Sequence, residues 1–267
     1  MAIVTERQDR VFVVRIDRPE ALNALDPESM VALNEEMRAF RDDPDLRVAV
    51  LTGTGERAFC TGADLKRTMP SEAGFAQAYF QPYAESVENG LYVRALALSS
   101  LDIRKPLIAA VNGHALGGGA EIALDCDLRL ASTTATFGLP EARWGSVPAV
   151  GGVSKLLRAI PRAVAMQMLL TGDRITSEEA LRVGLVSEVV EPERLLARTL
   201  ELAGRIAANG PLAVQSIKTL ATRAEDLPLS RSIELEQLLW GVLRDTEDRI
   251  EGRTAFAERR APEFKGR

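Results

Sequence analysis

Between Leu107 and Asp127 the chain reads LIAAVNGHALGGGAEIALDCD, an apolar run followed by three consecutive glycines and then a carboxylate, Glu121. No other stretch constrains the fold as strongly. Leu107 to Val111 has the apolar density of a buried strand, while Ala120, Ile122, Ala123 and Leu124 favour helix. The glycines therefore mark a strand-to-helix passage with uncovered main chain. A helix start carries unpaired NH groups and about half a positive charge, which suits an oxygen that turns negative. Gly118 is the candidate donor. Glycines at such a passage also let a helix pack tightly on a strand, and from this segment alone both readings stay open.

With 267 residues and 46% hydrophobic content, the chain can bury the core of one large domain or of a domain with a helical appendage. A net charge of -5, with no basic stripe interleaved with aromatics, argues against a nucleic-acid partner. The opening MAIVTERQDRVFVV carries charges too early for a secretory signal, and the apolar stretches are too short to span a bilayer. The expectation is a cytoplasmic protein whose two cysteines, Cys60 and Cys126, are structural thiols. His114 is the only histidine, so no zinc-type cluster is expected and no metal site is assigned. It reads as a packed residue beside the glycine turn, which leaves carboxylates as the acid/base candidates.

Val11 to Asp17 and Arg47 to Thr52 read as strands around a helix from Pro27 to Phe40, with Asp26 as N-cap and Pro27 at the first helical position. Ala58 to Leu65 reads as a small-residue turn, and residues 67–105 as a long, mostly helical connection suited to a lid or pocket wall. Strands resume at Leu107 to Asn112, Asp127 to Ala131 and Ala135 to Phe137. Helices then follow at Gly151 to Ile160, Pro161 to Leu170, Ser177 to Val183, Pro192 to Asn209, Pro211 to Arg223 and Leu229 to Phe256, with one short strand at Ser187 to Val190. Alternation followed by helices alone points to an α/β core over residues 1–194 and a docked helical region over 195–267.

A second glycine-containing motif, Ala58-Phe59-Cys60-Thr61-Gly62-Ala63-Asp64-Leu65, offers another uncovered stretch of backbone, with Ala63 as the second NH donor. Two donors converging on one oxygen, fixed before reaction, make an oxyanion hole. Glu121 follows the first motif and Glu141 lies in Leu139-Pro140-Glu141. Acids are also common at helix starts, where they cap or pair, so the two glutamates alone do not establish chemistry.

The segments FCTGADL, AAVNGHALGGGAE and FGLPEARWG, in this order and spacing, resemble the enoyl-CoA hydratase/isomerase, or crotonase, superfamily, closest to its enoyl-CoA hydratases. The resemblance runs from RPEALNALD (Arg18 to Asp26) through LTGDRITSEEALRVGLVSEVV (Leu170 to Val190) to EGRTAFAERRAPEF (Glu251 to Phe264). It implies a crotonase-like spiral of ββα repeats with a C-terminal helical trimerisation region, and an acyl-CoA thioester whose carbonyl is held at Ala63 and Gly118. It further implies Glu121 and Glu141 as the catalytic pair, a homotrimer or dimer of trimers, and no cofactor beyond the coenzyme A of the substrate. The coenzyme would lie along Ala24, Leu25, Ala63, Asp64, Leu65 and Lys66, with Asp64 in a more structural part. Phe256 and Arg259 resemble positions through which a C-terminal helix reaches the adenine and phosphate end.

The implied reaction is reversible syn addition of water to a 2-enoyl-CoA through a thioester enolate. The sequence departs from many hydratases at Ala149, where a glycine would follow the proline, and at Trp144, where a smaller aliphatic is usual. Acyl specificity therefore does not transfer. Phe137 to Ala142 also resembles carnitinyl-CoA dehydratases, so that activity stays open beside a Δ3,Δ2-enoyl-CoA isomerase and a non-catalytic CoA-binding protein. A dinucleotide or nucleotide-triphosphate site is excluded, because neither GxGxxG nor GxxxxGK[ST] occurs.

Overall fold

The computed structural model describes residues 2–68 and 74–267. Strands β1 (Ile3–Gln8) and β2 (Val11–Ile16) pair antiparallel; Leu25 then bridges to Ala63, and helix α1 (Pro27–Asp42) follows. The next turn is β3 (Val48–Gly53), β4 (Ala58–Cys60) and the short helices α2 (Phe75–Phe80), α3 (Tyr83–Ser86) and α4 (Val93–Leu96). A third turn is β5 (Leu107–Val111), β6 (His114–Leu116) and α5 (Gly118–Asp125). The fourth is β7 (Leu128–Ser132), β8 (Thr136–Gly138), a 3-10 turn at Pro140–Trp144, α6 (Gly152–Ala159) and α7 (Arg162–Thr171). β9 (Ile175–Thr176), α8 (Ser177–Arg182) and β10 (Glu188–Val190) complete the sheets, and α9 (Pro192–Ala207), α10 (Pro211–Arg223), α11 (Leu229–Arg244) and α12 (Glu247–Glu258) end the helical part.

β1 and β2 both join a six-stranded sheet, ordered β1-β2-β3-β5-β7-β10, and each of the next three turns lays one strand there and the next in a four-stranded sheet, ordered β4-β6-β8-β9. Apart from the β1–β2 and β8–β9 pairs the strands run parallel. The result is the expected α/β spiral of ββα repeats. The large sheet is covered on both faces, which is why its inner strands read as unbroken apolar runs. Val13, Val48, Val50, Ile108 and Ala110 face Leu195, Ala203 and Ala207 of α9, while Val14, Ala49, Leu51 and Ala109 join the main core on the other side.

Asp26 caps α1 as expected, accepting the Ser29 NH at 2.9 Å, and Pro27 occupies the first helical position. Met30, Leu33, Met37 and Phe40 bury the inner face of α1, each contributing about 1.5–3 kcal/mol relative to exposure. The far end extends to Asp42, beyond the expected Phe40. There the buried Lys105 ammonium donates to the Phe40 carbonyl at 2.9 Å and to the Asp43 carbonyl, so a cation satisfies the helix C-terminus.

Four readings of the sequence change. Ile3–Gln8 is an edge strand that its mostly polar side chains conceal, since one face of an edge pair is solvated. Ala58–Cys60 and His114–Leu116 are strands of the smaller sheet, too short for a periodicity to register. The helix expected from Leu229 to Phe256 breaks at Asp245, and Thr246 caps a new one by accepting the Arg249 NH at 3.2 Å. The 67–105 connection is a series of short helices turning at Gly90, with residues 69–73 outside the described part. Among the described residues, no helix is long and apolar enough to cross a membrane.

Candidate active site

The three glycines divide their work. A Cβ on Gly119 would stand 2.0 Å from the Cys60 carbonyl oxygen, so this position exists for close packing of α5 on β4. Gly117 holds a positive φ of 52°, and a Cβ there would meet the Glu141 carboxylate at 3.2 Å. Gly118 opens α5; a Cβ on it would lie 3.9 Å from the Ala63 nitrogen and 2.9 Å from Leu96 Cδ1. Opposite, a Cβ on Gly62 would lie 2.8 Å from the Gly118 nitrogen. Tight packing thus holds at Gly119, and the second motif lies directly against Gly118. Among the described residues, the NH groups of Ala63 and Gly118 donate no hydrogen bond, and the two motifs bring them to one place.

Glu121 is buried on the first turn of α5. Its Oε1 accepts the Val150 NH at 2.7 Å and the Gly152 NH at 2.8 Å, so the N-terminal end of α6 holds it. Burial raises its pKa, opposed by those two NH groups and by the Lys155 charge. Glu141 sits in the 3-10 turn after Pro140, where Arg143 ties the turn to α7 through the Thr171 carbonyl at 2.8 Å and through Asp173. Burial pushes the Glu141 carboxyl up to about 7, and the Glu121 charge acts in the same direction. Glu141 Oε2 is buried with no hydrogen-bond partner among the described residues. One carboxyl therefore has preformed NH donors, and the other has a free, buried oxygen.

The cradle expected from Ala24 to Lys66 is a backbone ladder. Leu25 donates to the Gly62 carbonyl and accepts from the Asp64 NH, both at 2.8 Å. Arg18, which sequence reasoning did not single out, donates to the Ala24 carbonyl and pairs with Asp64 at 3.1 Å and Asp26 at 3.2 Å. Asp64 is thus engaged inside the fold, with Leu65 and Lys66 exposed beside it. Phe256, 87% exposed, and Arg259 stand on and just after α12, which packs on α11. Among the described residues, neither makes a hydrogen bond or ion pair to residues 24–66.

Trp144 is 76% exposed at the end of the 3-10 turn, and Ala149 is exposed one residue before the NH that holds Glu121. His114 packs on β6, its Nδ1 2.8 Å from Thr136 Oγ1. Burial pushes both Cys60 and Cys126 up to about 12, which keeps them as thiols. The donors at Val150 and Gly152 were also missed from sequence. Gly151-Gly152 at a helix start was the available signal, the same one that flagged Gly118.

The sequence profile described as Enoyl-CoA hydratase/isomerase matches residues 6–267. An (E)-benzylidenesuccinyl-CoA hydratase of Thauera aromatica is 50% identical over 266 residues, covering 100% of both chains. A carnitinyl-CoA dehydratase of Proteus mirabilis is 41% identical over 96% of this chain and 95% of its own. The crystal structure of an enoyl-CoA hydratase from Bacillus anthracis superposes with a TM-score of 0.90 at 32% identity, with full coverage of both chains. Two glycine motifs facing each other, two carboxyls beside them and these similarities agree: the chain belongs to the enoyl-CoA hydratase/isomerase family, the crotonase superfamily, as an enzyme of the hydro-lyase class.

Proposed function

We propose that the protein adds water reversibly across the α,β double bond of a 2-enoyl-CoA, giving a 3-hydroxyacyl-CoA. The asymmetry between Glu121 and Glu141 carries this reading. Glu121, held by two NH donors, is the base: it takes a proton from water as the water oxygen bonds to C3. The π electrons move into the thioester, whose oxygen becomes an enolate held by the NH groups of Ala63 and Gly118. Glu141, which burial pushes up to about 7 so that a large share stays protonated up to neutrality, delivers its proton to C2 and the thioester carbonyl re-forms. Proton exchange between the two carboxyls and solvent resets the pair. This chemistry is an acid–base addition, one C–O and one C–H bond forming as the π bond is lost, and it uses coenzyme A only as part of the substrate.

A substituted acyl group is the second reading. Leu96 of α4 lies against Gly118, and Arg94 of the same short helix sits over Tyr79 and Tyr83 at 5.9 and 5.7 Å from their ring centroids. Phe75, Tyr79 and Phe80 are exposed nearby on α2. Aromatic faces and a guanidinium fit an acyl group bearing a ring or a carboxylate, in keeping with the name of the Thauera relative. Exposed Ile233, Leu238, Trp240 and Val242 on α11 and Phe256 on α12 support a homotrimer or dimer of trimers that covers them. In such an assembly, Arg259 of one copy would meet the coenzyme phosphates of another.

Loss of enoyl-thioester absorbance tests the proposal across straight-chain, aryl and carboxylated enoyl-CoAs. The expected outcome is turnover by the parent and a fall of at least ~100-fold in Glu121→Gln and in Glu141→Gln. Full turnover in both variants would overturn the assignment.

A further inference from the structure

Glu121 and Asp125 stand four residues apart on α5, hence on one face and one turn apart. Both reach α6. Glu121 accepts the NH groups at the start of α6, and the fully buried Asp125 carboxylate pairs with Lys155, one turn into α6. Lys155 also donates to Ser99 Oγ at 3.2 Å, and the Ser99 NH donates to Asp125 Oδ2 at 3.2 Å. The stem of Lys155 lies under the Gly151 turn, where a Cβ would meet its Cε at 2.9 Å. Gly151 has a φ of 96°, and it is this left-handed turn that aims the Val150 and Gly152 NH groups at one oxygen.

We propose that Lys155 is a positioning residue for hydration: through Asp125 and the Gly151 turn it locks α6 to α5 so that the NH pair stays on Glu121. The pair forms the second rung of a two-rung clamp, and the first rung is the Glu121 carboxylate itself. The charged groups facing Glu121 are Lys155 from α6 and Glu141 from the 3-10 turn. Arg158, further along α6, is occupied by Glu225 and Asp226. Lys155 favours the ionised form of Glu121, so its charge and its placement act in the same direction.

This inference rests on Glu121 acting as the base, so Glu121→Gln is measured beside the clamp variants. The full-length protein is compared with Lys155→Met, Lys155→Arg and the double variant Asp125→Asn/Lys155→Met, which leaves no unpaired buried charge if the single one fails to fold. Expected are a fall in kcat of ~10-fold or more with KM held within about twofold. The acid limb of the kcat/KM profile should move to higher pH, and Lys155→Arg should restore most of kcat. A double variant with parental kcat and an unmoved acid limb overturns the inference. If Glu121→Gln also keeps full activity, the proposed function falls with it; if Glu121→Gln is inactive, only the clamp falls.

Discussion

Gly119→Ala is the sharpest structural test, because the obstacle it meets is main chain. The new methyl would lie 2.0 Å from the Cys60 carbonyl oxygen and 2.5 Å from its carbon. Ordinary contact begins near 3.4 Å, so α5 or β4 must retreat by more than an ångström. Overpacking a dense core costs about 1–3 kcal/mol when side chains can give, and here they cannot, so about 3 kcal/mol is the lower bound. For a chain of this size that is a fall in Tm of roughly 6–12 °C. The same retreat carries Gly118 and Glu121 away from Ala63, so kcat should drop ~100-fold. Gly204→Ala is the control, since nothing lies within 4 Å of a Cβ there and alanine favours the α9 interior by up to about 1 kcal/mol. Differential scanning fluorimetry and the hydration assay read both variants. A Gly119→Ala protein with parental Tm and kcat would refute the packing argument.

Three further outcomes are expected. Because Glu141 is pushed up to about 7 and must be protonated to deliver its proton, kcat/KM should fall as pH rises through about 7. The native chain then binds a proton that the unfolded chain releases near 4.5, so this group's contribution to stability is complete below about 4.5 and is lost by about 7. Glu141→Gln should lose less Tm between pH 5 and 8 than the parent, and an equal loss would contradict the raised pKa. If α11 forms the proposed trimer contact, the parent should run as a trimer or hexamer in light scattering and Trp240→Glu, which places a charge on that exposed apolar helix, as a smaller species; a monomeric parent, or a variant of parental mass, would contradict that contact.

How much of this was legible in the sequence depends on the range of the interaction. The α1 cap at Asp26, the apolar strands and the glycine turn are local, and each was visible in a few neighbouring residues. The spiral and the meeting of Ala63 with Gly118 entered through the resemblance, since no spacing rule places residues 55 positions apart side by side. What stayed hidden was non-local and backbone-borne: the Val150 and Gly152 NH groups on Glu121, Arg18 between Asp26 and Asp64, and Lys155 beneath Gly151. Short strands such as Ala58–Cys60 were hidden for a related reason, as their register comes from neighbours in the sheet.

In the proposed reaction Ala63 and Gly118 hold the thioester oxygen between the base Glu121 and the acid Glu141. A crystal structure with an unreactive 2-enoyl-CoA analogue tests it most directly. The carbonyl oxygen is expected about 2.7–3.1 Å from both nitrogens, with C3 facing Glu121 and C2 facing Glu141. A thioester oxygen bound away from either NH group would contradict it.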